Sequence, residues 1–304
     1  MDSIMHRFIP GLLLGMLMLM SGCSFISHLG SSATRPHPNT GYTPEVAAFY
    51  GNFVEVAYEV YKLDNDKLNP SQPDYFPKGY SLVANIQAVA NAWGNKERKY
   101  FGYIAQSIAN PREVVVAIRG TEGWREWVDD AEFLHVKFRD GKKGEHVEEG
   151  FYDIYKTFTS MVPGNNKQVT PFSIVRGLKP THLVIVGHSL GSSLATLFAF
   201  QVQAEGVFPA PVLYTLASPR VGNRAFSKGF NQEIEYSYRI YNAPDIVPKL
   251  PPWWFGYRHV DVPYRLNSHK DKAILHSLGC YHSLLTYLHM LAPDRYSVLP
   301  ECKK

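Results

Sequence analysis

Residues 183–200 read LVIVGHSLGSSLATLFAF: a strand-like apolar run joined to a helix-like apolar run through Gly187-His188-Ser189-Leu190-Gly191. Few folds accept such a junction. A strand that turns at once into a helix, with a serine between two glycines at the bend, is the layout of a nucleophile elbow. The serine there takes a strained turn, its Oγ stands clear of the sheet, and side chains at the glycine positions would collide with strand and helix. The helix N-terminus behind it offers free N–H groups to a developing negative charge. The letters G-x-S-x-G alone arise roughly one time in ten in a random chain of this length. The strand before and the Ala-bearing helix after are what make the signal specific; a capping serine in a Gly-rich turn is the plainer reading.

The flanking pattern predicts the scaffold. From Gly150 on, helix-like and strand-like segments alternate: helix over 151–162, strand over 183–186, helix over 191–205, strand over 212–216, helix over 223–232, strand over 236–241 and a final helix over 281–291. Such alternation argues for a largely parallel sheet covered on both faces. Upstream, Thr43-Pro44-Glu45 reads as a capped helix start, followed by an apolar stripe from Val46 to Tyr61. Strand-like runs follow at 86–93, 100–107 and 113–119, the last two turning through Ala109–Glu113 as a hairpin, so the sheet is mixed. The expectation is an α/β fold in a single domain, residues 41–304.

What precedes that domain reads as export machinery. The apolar run at 8–20 is shorter than the ~20 residues of a spanning helix and fits a signal-peptide core. "MSGC" at Met20–Cys23 resembles the lipobox of bacterial lipoproteins, which implies removal of residues 1–22 and a lipid on Cys23. Residues 23–40, rich in Ser, Pro and Gly, read as a flexible tether. The expected partner is then a membrane, reached through the N-terminal lipid, with Ser24 matching outer-membrane sorting if the source is Gram-negative. A soluble secreted protein is the alternative.

Composition narrows the function classes. The net charge of +4 is spread over both halves without a long basic run, so no footprint for nucleic acid stands out. No CxxC and no HExxH occurs, which leaves a zinc or haem reading without support. Cys280 and Cys302 are free to pair in an exported chain.

A serine nucleophile needs a base to take its proton and an acid to orient that base, and on an α/β-hydrolase scaffold the order is Ser, acid, His. Asp245 lies just past a strand end in "YNAPDIVPKLPP", where an open parallel sheet keeps its site residues; Asp261 and Asp271 are rivals. Five histidines follow Ser189, at 259, 269, 276, 282 and 289. His259 sits in a strand-like run, and position alone leaves His276 and His282 both open.

Five blocks together resemble the class 3 lipase family, the α/β-hydrolases related to fungal triacylglycerol lipases. They are VVVAIRGT at 114–121, GHSLGSSLA at 187–195, SPRVGN at 218–223, NAPDIVPKLPP at 242–252 and HSLLTYL at 282–288. The resemblance implies Ser189 as nucleophile, Asp245 as acid and His282 as base. It implies an oxyanion hole from the Leu190 N–H and the N–H and hydroxyl of Thr121, and assigns His259 no catalytic role. It also implies a lid over the amphipathic segment bearing Trp124, Trp127 and Val128. The expected activity is hydrolysis of lipid esters with no metal or organic cofactor. Phospholipase A1 and small-ester or feruloyl esterase activities are rivals on the same triad. A non-catalytic envelope binding protein is the reading from a different class. One departure stands out: the family's V-H-x-G-F is Val147-Glu148-Glu149-Gly150-Phe151 here.

Overall fold

Thr43 sets the first element. Its hydroxyl accepts the Val46 N–H at 3.2 Å and Pro44 fills the first turn, starting helix α1 (Pro44–Leu63), whose inner face buries Phe53, Val54, Ala57 and Val60. The computed structural model describes residues 42–64, 67–92, 95–121, 123, 133–139, 144–206 and 209–304. After α1 come strands β1 (Tyr80–Ala92), β2 (Asn95–Ser107) and β3 (Glu113–Ile118). A short pair, β4 (His135–Lys137) and β5 (His146–Glu148), leads into helix α2 (Glu149–Lys156), strand β6 (Thr159–Met161) and helix α3 (Pro171–Leu178). Strand β7 (His182–His188), helix α4 (Leu190–Glu205), strands β8 (Val212–Leu216) and β9 (Gly222–Asn223) and helix α5 (Arg224–Glu233) follow. The chain continues through β10 (Tyr236–Asn242), β11 (Tyr257–Arg258) and β12 (Val262–Leu266) to α6 (Leu278–His282) and α7 (Leu284–Leu291).

Eight strands form the main sheet in the order β12-β10-β8-β7-β3-β2-β1-β6. From β12 to β3 all neighbours run parallel, and β2, β1 and β6 add antiparallel pairs at one side. This is the largely parallel, mixed α/β sheet the pattern predicts. Because successive side chains of a strand point to opposite faces, the central strands are apolar on both. Val116 and Ile185 enter one core with α4 and Phe226 and Phe230 of α5, while Val115, Val184 and Val186 enter the other with α1 and α7.

Three segments differ from expectation. The segment 151–162 is not one helix: α2 stops at Lys156, Thr157 turns its hydroxyl onto the Ile154 carbonyl at 2.7 Å, and β6 then pairs with the edge of β1. Strands β1 and β2 run longer than the apolar runs suggested, since they pair with each other along their whole length. The final helix is broken at Ser283, which adopts extended geometry (φ −56°, ψ 131°), so His282 ends α6 instead of opening a longer helix. The departure at Glu148 also has a physical reading. Its carboxylate accepts the N–H groups of Gly150 at 3.1 Å and Phe151 at 2.8 Å, which caps α2.

Candidate active site

Ser189 sits between β7 and α4 at φ 57°, ψ −130°, a conformation costly for a side-chain-bearing residue. Its own N–H is held by the Leu216 carbonyl of the neighbouring strand at 2.9 Å. The two glycines are required by contact. A Cβ on Gly187 would lie 2.3 Å from the Gly191 carbonyl oxygen, and one on Gly191 would lie 2.3 Å from that of Ile118. Glycine at 187 therefore lets strand and helix close on one another, and glycine at 191 lets the helix start pack against the end of β3.

The bend aims Ser189 at His282. The Ser189 hydroxyl is 2.8 Å from His282 Nε2, and His282 Nδ1 is 2.9 Å from Asp245 Oδ2. All three are buried, with 2%, 3% and 1% of the surface of Ser189, His282 and Asp245 exposed. Each comes from a different strand end or helix end: Ser189 after β7, Asp245 three residues past β10, and His282 at the end of α6. An Asp that accepts from Nδ1–H leaves the lone pair on Nε2, where it can take a hydroxyl proton.

A layer of hydrogen bonds fixes these groups from behind. Asp245 Oδ1 accepts the Val247 N–H at 3.0 Å, and Oδ2 accepts the Tyr287 hydroxyl at 2.8 Å. Tyr287 in turn accepts the Asn242 N–H at 2.9 Å. On the other side, the His282 carbonyl can only accept, so His188 Nε2, 3.0 Å away, carries its proton. His188 Nδ1 then accepts from the Tyr58 hydroxyl at 2.9 Å, and Tyr58 accepts the Gly120 N–H at 2.9 Å. Burial, and next the neighbouring His282, push the His188 imidazole well below the usual histidine range, consistent with this neutral ring. Burial, and next the Asp245 charge, raise the Tyr287 phenol well above its ordinary value, so it stays a donor.

The expected oxyanion donors flank the serine. Leu190 is the first residue of α4, so its N–H has no intrahelical acceptor. Thr121 follows Gly120, whose Cα is so close to the elbow that a Cβ there would meet Ser189 Cβ at 2.9 Å. Thr121 Oγ1 accepts the Gly123 N–H at 3.2 Å, which leaves its own hydroxyl proton to point elsewhere. Thr121 and His282 share the wall of a cavity of about 280 Å³ with Glu55, Tyr58, Lys62 and Leu285. Burial raises the Glu55 carboxyl to about 7, against a lowering by Lys62.

Residues 115–255 match the model of the lipase (class 3) family. A chloroplastic phospholipase A(1) of Arabidopsis thaliana is 27% identical, over 80% of this chain and 70% of its own length. The secreted mono- and diacylglycerol lipase A of Penicillium camembertii is 36% identical, over 57% of this chain and 54% of its own. The chain thus spans about half the length of that fungal relative. In fold, the Rhizomucor miehei lipase in its propeptide complex superposes with a TM-score of 0.58 at 21% identity, covering 81% of this chain and 78% of that one. The architecture is the α/β-hydrolase fold.

The rival residues lie elsewhere or are otherwise engaged. His259 Nε2 donates to the Pro248 carbonyl at 2.7 Å, and burial together with Arg239 and Arg220 keeps its ring below the ordinary range. It braces the loop after Asp245. His276 stacks on His269 at 4.2 Å near the surface, and His289 faces Asp271 at 3.4 Å. Asp261 lies past β11 at φ 72°. Trp124, Trp127, Val128 and Cys23 lie outside the described residues. Among the described residues no cluster of His, Cys, Asp and Glu could hold a metal ion, and no helix is long and apolar enough to cross a membrane. Reading the residues did not find Tyr58 or the partners of His188. Nor did it find Tyr287, since nothing local marks a tyrosine as the second donor to an aspartate.

Proposed function

We propose that the chain is a serine carboxylic-ester hydrolase acting on lipid esters. The observation that carries this is the buried hydrogen-bonded run Ser189–His282–Asp245 at the elbow, with links of 2.8 and 2.9 Å. His282 Nε2 takes the Ser189 proton as Oγ attacks the acyl carbonyl, forming a tetrahedral oxyanion held by the Leu190 and Thr121 N–H groups and the Thr121 hydroxyl. His282 then gives that proton to the departing alkoxide, leaving an acyl-serine. Water attacks the acyl-serine, His282 takes its proton, and the acid leaves as Ser189 regains its own. Asp245 stays ionised throughout and steadies the imidazolium.

The fungal relative's name speaks for acylglycerols and the plant relative's for phospholipids, and both are esters of the same chemistry. The domain is exported, in keeping with that secreted relative. Residues 1–22 serve as a lipoprotein signal, Cys23 carries the lipid, residues 23–40 tether the domain, and the segment with Trp124, Trp127 and Val128 is the lid.

The test is hydrolysis of p-nitrophenyl esters from acetate to palmitate, with diacylglycerol and phosphatidylcholine in parallel, by the chain and by Ser189→Ala. Release that falls by roughly 10⁴-fold or more in the variant supports the triad. Equal, negligible release by both would sink it. Labelled palmitate that enters the chain but not Cys23→Ser would support the anchor, and label in neither would remove it.

A further inference from the structure

Helix α1 turns one stripe of side chains toward the triad. Glu55, Tyr58 and Lys62 follow one another at steps of three and four residues, the spacing that stacks side chains on one helix face. All three line the cavity of about 280 Å³ that has Thr121 and His282 in its wall. Tyr58 is engaged, its hydroxyl bonding His188 and accepting the Gly120 N–H. The charged residues on either side of it are not. Among the described residues, neither the Glu55 carboxyl nor the Lys62 ammonium enters a hydrogen bond or a close ion pair. Seven residues separate the two, ~10.5 Å of helix rise, and the cavity runs alongside.

Packing does not explain this arrangement. Glu55 is half-buried, and a carboxylate that loses water without gaining donors is costly. Burial raises its carboxyl to about 7, against a lowering by Lys62 and with a further push upward from the exposed Glu59 one turn on. A cation entering the cavity would supply the missing partner and return the carboxyl to its charged form. Lys62, exposed in the last turn of α1, is a point charge of the kind that meets phosphate. The remaining wall has the opposite character, with Leu284, Leu285 and Leu299. The cavity therefore suits a molecule with an apolar body and a head carrying both charges. Its position says which part of an ester that is. His282 Nε2 gives its proton to the departing alkoxide, so the alcohol portion leaves past His282, the triad member in this wall. In a glycerophospholipid the alcohol portion carries the head group. A neutral acylglycerol leaves both charges unmet, and an anionic glycerol head group offers Glu55 a hydroxyl in place of a cation.

We propose that Glu55 selects the substrate's head group. Its carboxylate takes the primary ammonium, and Lys62 the phosphate, of a zwitterionic phosphoethanolamine lipid held in the cavity beside His282. The proposal rests on the lipid-ester reading and narrows it to one head-group chemistry.

The experiment titrates the full chain carrying Ser189→Ala by calorimetry, with monomeric dihexanoyl phosphatidylethanolamine and, separately, dihexanoyl phosphatidylglycerol. The first is expected to bind about tenfold more tightly. Adding Glu55→Gln should bring the two within about twofold. Adding Lys62→Met instead should weaken both by about fivefold and leave their ratio standing. Each ratio is internal to one protein, so general damage to the fold weakens both lipids and cannot mimic its loss. With Ser189 restored, kcat/KM for hexanoate release should show the same preference. Equal binding of the two lipids by the parent, or a preference that survives Glu55→Gln, overturns the proposal. Absent hydrolysis with the binding preference intact would instead count against the esterase reading alone.

Discussion

The Tyr287 hydroxyl and the His282 imidazole share one oxygen, Asp245 Oδ2, at 2.8 and 2.9 Å. The aspartate is buried and its carboxylate is fixed by such donors, so removing one weakens its hold on the ring. Tyr287→Phe removes that donor and also leaves the Asn242 N–H without its acceptor. The expected cost is about 1–3 kcal/mol in stability and about a tenfold loss in kcat for a soluble ester, with KM little changed. A denaturant melt and a kcat measurement check both, and a variant with full kcat would reduce Tyr287 to packing.

Thr121 allows the oxyanion donors to be separated. Thr121→Val keeps the shape and the main-chain N–H but removes the hydroxyl, whereas Thr121→Ser restores it. If the hydroxyl meets the oxyanion, the valine variant loses roughly 10²-fold or more in kcat and the serine variant recovers much of it. Equal rates for the three would leave the N–H groups of Leu190 and Thr121 as the whole hole.

How legible was this site beforehand? Ser189 could be read because its G-x-S-x-G signature is local: the glycine at 187 answers a carbonyl that the strand–turn–helix geometry itself brings within 2.3 Å, while the one at 191 answers the Ile118 carbonyl of the neighbouring strand. Its partners depend on chain far away, for His282 lies 93 residues from Ser189 and Asp245 37 from His282. Position alone therefore could not choose His282 over His276; the resemblance to class 3 lipases did. The support from Tyr58 through His188 crosses 130 residues, and no local pattern announces it. The alternation of helix and strand did announce the parallel sheet. The break at Ser283 escaped because its neighbours keep an apolar helical spacing, and the extended residue is chosen by the tertiary need to turn His282 inward.

Glu55 gives the cavity beside His282 a pH dependence. Burial raises its carboxyl from 4.5 to about 7, so between those values the folded chain holds a proton that the unfolded chain releases. Stability should therefore fall as pH rises through that window, by up to about 3 kcal/mol from this group. Glu55→Gln should flatten that slope and gain on the parent at pH 8 but not at pH 4. Urea unfolding at both pH values measures it, and parallel slopes in the two proteins would mean the carboxyl is not held neutral.

Cys280 and Cys302 form a disulfide across 22 residues, and the first of them lies two residues before His282 on α6. The bridge sits in a small separate cluster with Ile274 and Val298. The C-terminal strand-like end pairs back there as well, the Leu275 N–H donating to the Cys302 carbonyl at 2.8 Å and the Lys304 N–H to that of Ala273 at 2.9 Å. Closing a loop of this length removes unfolded-chain entropy worth about 3 kcal/mol. In so large a domain that corresponds to roughly 5–10 °C in Tm. Cys280→Ser/Cys302→Ser should melt lower by that amount and inactivate early on heating, because the segment that carries His282 is no longer stapled to the chain end. At 25 °C its kcat should stay close to the parent's, since α6 is still capped by the Ser277 hydroxyl and His282 is still held by His188. Calorimetry beside the ester assay separates these effects: an unshifted Tm would deny the staple, whereas a collapse of kcat at 25 °C would make the bridge part of the site's geometry.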